Sequence, residues 1–417
     1  MRSKWRTVRV GDLGRVVTGK TPKTAITDNY GGSVLFLTPS DDMSVKYVET
    51  TAKTLTSKGL SEVKNCLLPP RTICVSCIGS DLGKVVMTTQ PTVTNQQINS
   101  IIPADNVDPD FVYYAMTILG KELNYISKTS TAVPIVNKSS FSSYTIDIPP
   151  LDDQRSIASV LSALDTKITE NRKINHHLEQ IAQAIFKSWF VDFEPFGGEM
   201  PGDWREGTFS EVISTTLGGD WGKDAPIGNN TQEVYCIRGA DIPDVNVGNK
   251  GKMPIRFILR KNYASKRLAV GDIVVEISGG SPTQSTGRCA LITQSLLERY
   301  DRGMVCTNFC RAVKPLEGYS AFVYFYWKYL YDQNVMFSYE NGTTGIKNLN
   351  ITGFLENEPI IIPSVDVVAK FNEAVEIFID TIFANGLENE CLANTRDTLL
   401  PRLMSGELSV TEISDAK

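Results

Sequence analysis

The chain contains the same pattern twice, and this internal repeat constrains the fold more than any other feature of the 417 residues. The run "VLFLTPSD" begins at residue 34, and "VYCIRGAD" begins at residue 234. Later, "FVYY" at 111 matches "FVYF" at 322, and Thr94-Asn95 matches Thr307-Asn308. The offset between the copies grows in one direction, as expected when a duplicated segment gains loop residues. We therefore expect two similar domains in one chain.

A long helix is predicted at the end of each copy. After "IPPLDDQ" at 148–154, Pro or Gly does not recur until Pro195, and Asp152 or Asp153 can cap the helix start. Spacings of four and three predict a coiled-coil seam. The first seam is Ile157, Leu161, Leu164, Ile168, Asn171, Asn175, Leu178, Ala182, Ile185 and Trp189. The second seam, 214 residues later, is Phe371, Val375, Phe378, Ile382, Asn385, Asn389, Leu392, Arg396 and Leu399.

Each seam carries two asparagines near its centre: Asn171 and Asn175 in the first, Asn385 and Asn389 in the second. A buried asparagine penalises other alignments, because a slipped amide would face an apolar side chain unpaired. We expect the two helices to pack antiparallel, with the asparagines fixing their register. In the alternative, each helix folds back on its own domain.

Between the helices, runs such as "SVLFLT", "TICVSCIG" and "DIVVEIS" predict strands, and "DPDFVYYAMTILGKEL" predicts a helix capped by Asp108. The expected fold class is mixed α/β: two pseudo-symmetric globular domains separated by two long helices packed as an antiparallel coiled coil. The predicted segments are a first domain at 1–150, a central helix and connector at 151–196, a second domain at 197–363, and a C-terminal helix and tail at 364–417.

The run "GRVVTGKT" at 14–21 fits the spacing of a phosphate-binding P-loop, G-x-x-x-x-G-K-T. A P-loop needs a buried strand before it and a helix after it, so that the helix start faces the phosphates. Val16 and Val17 instead predict strand inside the loop, and Pro22 disfavours helix at Thr21. The second copy, "TTLGGDWG", lacks the lysine and hydroxyl. A nucleotide-dependent enzyme using Gly14–Thr21 is therefore only the alternative function.

Other catalytic patterns are scarce. The two histidines, His176 and His177, are adjacent in a predicted helix, which does not suit a catalytic triad. Asp108-Pro-Asp-Phe111 is close to the Asp-Pro-Pro-aromatic motif of amino-methyltransferases, but Asp110 replaces a proline and a helix cap explains the residues. The eight cysteines show no disulfide or zinc framework, so we expect reduced thiols and no metal.

Charge and hydropathy favour a cytoplasmic recognition protein without a membrane segment. No run approaches the ~18 apolar residues of a membrane span. The formal net charge is −5, and the four predicted segments carry +4, −2, −1 and −6 in chain order. Two similar domains held by paired helices suit an elongated target such as a DNA duplex contacted at two places.

These features resemble the specificity subunit of type I restriction-modification systems over nearly the whole chain. The resemblance lies in "IPPLDDQRSIASVLSALDTKITENRKINHHLEQIAQAIFKSWFVDFEPF" at 148–196, "LLPRLMSGELSV" at 399–410, and "TGKTPKT" and "LTPSDD" in the first domain. It implies two target-recognition domains, each recognising one half of a bipartite double-stranded DNA site, joined by helices that set the half-site spacing.

The resemblance also implies partners and cofactors. Two methylation subunits would bind the helices, carry S-adenosylmethionine and methylate adenine. Restriction subunits would supply ATP- and Mg-dependent translocation and cleavage. The chain itself would hold no cofactor and would not be a catalyst, although the complex is a methyltransferase and an endonuclease.

Polar loop residues are the candidates for DNA contact, because Asn or Gln pairs with adenine and Arg with guanine. They are Lys20, Thr21, Lys23, Gln96 and Gln97 in the first domain, and Lys223, Gln284, Ser285, Thr286, Arg288 and Lys347 in the second. The alternative for each is an ordinary solvated loop. In "FKSWFVDF", the candidates for partner contact are Phe186, Trp189, Phe190 and Phe193, and the alternative is packing against their own domain.

Overall fold

The computed structural model describes residues 5–79, 82–129, 135–281, 283–342 and 346–411. The chain divides into two compact units. Unit 1 comprises Met1–Lys167 with Leu392–Lys417, and unit 2 comprises Ile168–Cys391.

Unit 1 combines a five-stranded sheet with smaller sheets and helices. Its strands are β1 (Arg6–Arg9), β2 (Gly14–Thr18), β3 (Tyr30–Leu37), β4 (Tyr47–Val48), β5 (Lys53–Leu55), β6 (Ile73–Ser76), β7 (Val85–Thr88), β8 (Thr92–Thr94), β9 (Ile98–Pro103) and β10 (Thr145–Ile148). Its helices are α1 (Ser57–Glu62), α2 (Pro109–Thr129), α3 (Lys138–Ser143) and the start of α4 (Leu151–Phe190). The sheet orders are β2-β9-β6-β7-β4, β5-β3-β8 and β1-β10.

Unit 2 repeats this plan. Its strands are β11 (Arg205–Thr208), β12 (Ile213–Gly218), β13 (Asn230–Ile237), β14 (Ile255–Leu259), β15 (Ile273–Glu276), β16 (Ser278–Gly279), β17 (Cys289–Leu291), β18 (Met304–Cys306), β19 (Cys310–Pro315), β20 (Glu340–Asn341), β21 (Lys347–Leu349) and β22 (Pro359–Ile362). Its helices are α5 (Ile242–Asn246), α6 (Arg260–Lys266), α7 (Gln294–Leu297), α8 (Ser320–Asp332), α9 (Ile351–Asn357) and most of α10 (Val365–Met404). The sheet orders are β12-β19-β15-β17, β14-β13-β18, β11-β22 and β16-β21-β20.

Strand pairing confirms the repeat and corrects its alignment by one residue. The parallel pair β3–β8 places Leu37 opposite Thr94, and β13–β18 places Ile237 opposite Cys306. Thr94 therefore corresponds to Cys306, and the sequence match of Thr94 with Thr307 is wrong by one position. The error arose because identical letters, and not the pairing of buried strands, set that match.

Each unit has a core in which one helix covers the sheet. In unit 1, Phe111 and Met116 of α2 are buried with Ile73 and Ile101. In unit 2, Phe322 and Trp327 of α8 are buried in an aromatic cluster with Phe209. The predicted mixed α/β class is confirmed. The Asp108 cap of α2 is also confirmed, because its side chain accepts a bond from the Phe111 N–H at 2.9 Å.

The two long helices, α4 and α10, are each 40 residues long and pair antiparallel. Within unit 2, Asn171 contacts Asn389, and Phe186 packs against Phe371 further along α4. Within unit 1, Asp165 of α4 accepts a bond from Arg396 of α10.

Two details of the long helices differ from the sequence-based expectation: the cap of α4, and what the helices pack against. Asp152 and Asp153 lie in the first turn and do not cap the helix, because α4 begins at Leu151. Their negative charges still stabilise the helix, because they lie near the positive end of its dipole. The alternative arrangement also contributes, since the first turns of α4 pack in the core of unit 1 through Ile157 and Leu161, and those of α10 pack in the core of unit 2 through Phe371.

Among the described residues, none of the helices has both the length and the apolar character that crossing a membrane requires.

Candidate nucleic-acid interface

In unit 1, the segment after β2 and the turn before β9 lie together at one edge of the sheet. The Lys20 N–H donates to the Thr94 carbonyl at 2.9 Å, and the Thr21 hydroxyl donates to Gln96 Oε1 at 2.7 Å. A Cβ on Gly19 would stand about 2 Å from the Thr94 and Asn95 carbonyls, so only glycine fits this close approach. Lys20 and Gln96 are exposed at this edge.

This geometry does not form a phosphate-binding loop. Gly14–Thr18 is strand β2, paired with β9, and the Gly19 N–H donates to the Ile98 carbonyl. The backbone N–H groups that a P-loop would turn toward phosphate are therefore bonded to neighbouring strands. Within the described range 5–79, the first α-helix after Thr21 is α1, which begins at Ser57.

The turn that carries Gln96 and Gln97 is held by its own side chains. The Gln97 N–H donates to Asn95 Oδ1 at 3.1 Å, and Asn95 Nδ2 donates to Gln97 Oε1 at 2.9 Å. The Cys77 N–H donates to the Gln97 carbonyl at 2.8 Å. A fixed turn with an exposed amide can present hydrogen-bonding groups to a base edge without losing much further side-chain freedom. Lys23 lies nearby and is exposed, while its N–H donates to Glu62.

Unit 2 has the same edge with different side chains. The Asp220 N–H donates to the Cys306 carbonyl at 2.8 Å, and the Ile277 N–H donates to the Phe309 carbonyl at 2.9 Å. Trp221 is 38% exposed and Phe309 is 61% exposed. Sequence reasoning missed both residues because its candidates were polar side chains, although the repeat places Phe309 opposite the candidate Gln97. Lys223, a sequence candidate, is exposed two residues after Trp221.

Two of the remaining candidates of unit 2, Thr286 and Lys347, bond to Glu340. The Thr286 N–H and hydroxyl donate to its Oε1, and Lys347 Nζ donates to its Oε2 at 2.7 Å. Burial alone would raise the pKa of Glu340, but Lys347 and Thr286 outweigh it and lower that pKa. Ser285 and Thr286 are 3% and 0% exposed, so the prediction that they contact DNA is wrong for this conformation. Their polar groups hold the loop together.

Arg288 is engaged in the same region. Its guanidinium donates to both carboxylate oxygens of Glu276 at 2.8 Å, and this hydrogen bonding raises the pKa of Arg288. A guanidinium held by one carboxylate has fewer N–H groups left for guanine. Gln284 is exposed and stays a candidate.

The aromatic segment proposed for partner contact packs mostly inward. Phe186 and Phe190 are buried in the core of unit 2, against Phe322 and Phe371. The prediction that these two bind a partner is therefore wrong, because their own domain and helix pair cover them. Trp189 and Phe193 are half-buried at the edge of the same cluster, and they stay candidates.

The four asparagines form two cross-helix pairs within unit 2. Asn171 Nδ2 donates to Asn389 Oδ1 at 3.0 Å, and Asn385 Nδ2 donates to Asn175 Oδ1 at 2.8 Å. Asn175 Nδ2 also donates to the Ile382 carbonyl of α10 at 3.0 Å. Asn171 is 0% exposed, so a shifted register would leave buried amides without these partners.

Metal and catalytic candidates are weak in the structure. In the part of the chain that the structure describes, no group of three or more His, Cys, Asp or Glu could hold a metal ion. Burial raises the pKa of the Cys74 thiol to about 12, which does not suit a nucleophile. Asp110 pairs with Lys46 at 2.7 Å and with Arg71 at 2.6 Å. Asp110, which lies in the segment close to the amino-methyltransferase motif, therefore has a structural role in these ion pairs.

Comparisons with known proteins agree with this picture. Residues 2–180 match the family model described as type I restriction modification DNA specificity domain. The type I restriction enzyme MjaIX specificity subunit of Methanocaldococcus jannaschii is 28% identical over 98% of this chain and 94% of that protein. The type I restriction enzyme HindI specificity subunit of Haemophilus influenzae is 31% identical over 41% of this chain and 38% of that protein.

A solved structure supports the fold over the whole length. The crystal structure of the type I restriction-modification system S subunit from M. genitalium superimposes with a TM-score of 0.56 at 15% identity, covering 96% of each chain. At this identity the likeness concerns the fold alone.

Proposed function

Residues 2–180 match the type I restriction-modification DNA specificity family, and on this premise we propose that the chain is the DNA sequence-specificity subunit of a type I restriction-modification complex. One observation carries the proposal: a single chain holds two copies of one domain, each with a glycine-anchored loop beside an exposed turn. Each copy recognises one half of a bipartite DNA site.

The helix pair sets the distance between the half-sites. A 40-residue helix is about 60 Å long. The Asn171–Asn389 and Asn175–Asn385 pairs support this role, since they hold α4 and α10 in one register within unit 2.

The chain acts with partners and holds no cofactor of its own. Two methylation subunits bind the helix pair and use S-adenosylmethionine to methylate adenine. Restriction subunits, with ATP and Mg, complete the complex in the cytoplasm. The chain directs these activities without catalysing them, and Trp189 and Phe193 are the aromatic residues left to contact a methylation subunit. Trp189→Ala should weaken assembly of the complex while α4 stays folded. Normal assembly would remove Trp189 from the interface.

The test is to map methylated adenines in the host genome by long-read sequencing, with and without this chain. We expect a bipartite motif that is methylated only when the chain is present. An unchanged methylation pattern would contradict the proposal. The P-loop alternative makes the opposite prediction, that the purified chain hydrolyses ATP and that Lys20→Ala abolishes the hydrolysis.

A further inference from the structure

The turn between β18 and β19 presents a phenylalanine to solvent. Phe309 is 61% exposed, although its carbonyl accepts bonds from the Ile277 and Ser278 N–H groups and its neighbours Thr307 and Cys310 are buried. The backbone therefore fixes the direction of a large apolar side chain that the unit does not cover.

Three backbone bonds identify the position of Phe309 in the other copy. The Thr307 N–H donates to the Ile237 carbonyl, as Asn95 donates to Leu37. Cys310 donates to Thr307, as Ile98 donates to Asn95, and Ile277 donates to Phe309, as Cys77 donates to Gln97. Phe309 thus occupies the place of Gln97, and Asn308 occupies the place of Gln96.

The loop that faces this turn also carries an aromatic residue in unit 2 where unit 1 has a polar one. Gly219 and Asp220 approach Cys306 and Thr307 as Gly19 and Lys20 approach Thr94 and Asn95, so Trp221 stands where unit 1 has Thr21. The Trp221 ring lies 4.0 Å from the Arg256 guanidinium, and Arg256 Nε donates to the Trp221 carbonyl. Unit 2 thus has two aromatic rings, Trp221 and Phe309, at the positions where unit 1 has the hydroxyl of Thr21 and the amide of Gln97.

The geometry points to Phe309 as a specificity residue that contacts the C5-methyl group of a thymine in the major groove of the half-site bound by unit 2. Thymine is the only base that offers a methyl group there, and phenylalanine is one of the side chains that contact it. Gln96 in unit 1 suits adenine, which an amide can bond. The two units therefore recognise their half-sites by different chemistry.

DNA fits this edge better than a protein partner does. Exposed side chains beside Phe309 and Trp221 include Asn308 and Lys223, and the exposed Asp224 carboxylate is paired with Arg256. The central part of a protein interface is typically depleted of lysine, whereas a lysine beside a base-contacting group can bind phosphate. This inference rests on the proposed function.

The test uses the complex of the full chain with its methylation subunits and a duplex that carries the mapped site. Each thymine of the site is replaced singly by uracil, which removes only the methyl group. We expect one replacement, in the half-site that unit 2 binds, to lower the methylation rate of the wild-type complex about fourfold. Phe309→Ala should lower the rate on the thymine duplex by at least that factor, and the uracil replacement should then have no further effect.

Val270→Ala is the matched control, because Val270 is also an exposed apolar residue of unit 2, at 54%. It should keep both the rate and the uracil effect. The inference is overturned if no thymine methyl matters to the wild-type complex, if Phe309→Ala retains the uracil effect, or if Phe309→Ala prevents assembly with the methylation subunits. The last result would assign Phe309 to a protein interface.

Failure of the inference is distinguishable from failure of the proposed function. A wild-type complex that methylates its mapped site without regard to any thymine methyl overturns only the role of Phe309. A wild-type complex that shows no sequence-dependent methylation overturns the function itself.

Discussion

Three equivalent helix positions hold charged and polar side chains in unit 1 but apolar side chains in unit 2. In unit 1, Asp165 Oδ1 accepts a bond from Arg396 at 2.6 Å, and Asp165 Oδ2 accepts one from the Tyr114 hydroxyl at 2.5 Å. The repeat places Ile379, Ala182 and Phe325 at these three positions of unit 2, where they line an apolar cavity. One fold thus accepts either a buried ion pair or plain apolar packing, so the ion pair is not needed for the fold itself.

Breaking this ion pair should have the largest effect on stability. Arg396→Ala leaves the Asp165 carboxylate buried without its guanidinium, and we expect a loss of about 3 kcal/mol in the free energy of unfolding. The measurement is urea denaturation of the purified chain, followed by a probe in unit 1.

The double variant Asp165→Ile with Arg396→Ala copies two of the three residues of unit 2 and sharpens the comparison. Removing both charges together avoids the uncompensated carboxylate, so the double variant should be more stable than Arg396→Ala alone. If the double variant lost the sum of the two single effects, the comparison between the units would fail.

The recognition edges give the second prediction. Replacing Gln96 and Gln97 by alanine should remove amide contacts in unit 1 and reduce discrimination at one base pair by about 1–3 kcal/mol. The motif mapped by long-read sequencing should become degenerate in one half-site only. Gln90→Ala, which alters another exposed glutamine of unit 1, is the control and should leave the motif intact. Degeneracy in both half-sites would contradict separate recognition by the two units.

The elements were predictable from the sequence to different degrees. The repeat and the long helices follow from apolar spacing, which depends on burial and therefore survives changes in the loops. The loop side chains do not follow any such spacing. Thr286 looks like a surface residue in the sequence, yet it turns inward because its N–H and hydroxyl bond to Glu340, more than 50 residues later. Phe309 was missed because the candidates for DNA contact were restricted to polar loop residues.

The polar centre of the helix pair gives a third, smaller effect. Asn175→Leu removes the donor to the Ile382 and Val247 carbonyls and the acceptor for Asn385. We expect a loss of about 1–2 kcal/mol in stability and a mixture of registers in disulfide trapping between α4 and α10. Asn394→Leu, on the exposed side of α10, is the control for adding a leucine. A single register in both variants would show that the asparagines do not set the alignment.

The smallest effects should come from replacing single lysines. The DNA affinities of these variants test how the charge of each copy contributes to binding. Residues 1–150 carry +4 and residues 197–363 carry −1, so phosphate binding should depend more on the first copy. Lys23→Ala and Lys223→Ala should each weaken binding about equally across DNA sequences and reduce the slope of log affinity against log salt by about 1. Because neither copy carries a large positive net charge, the isolated chain should bind weakly near 0.15 M salt. Nanomolar binding by the isolated chain would contradict the idea that partners supply much of the phosphate contact. An unchanged slope for either variant would remove that lysine from the DNA interface.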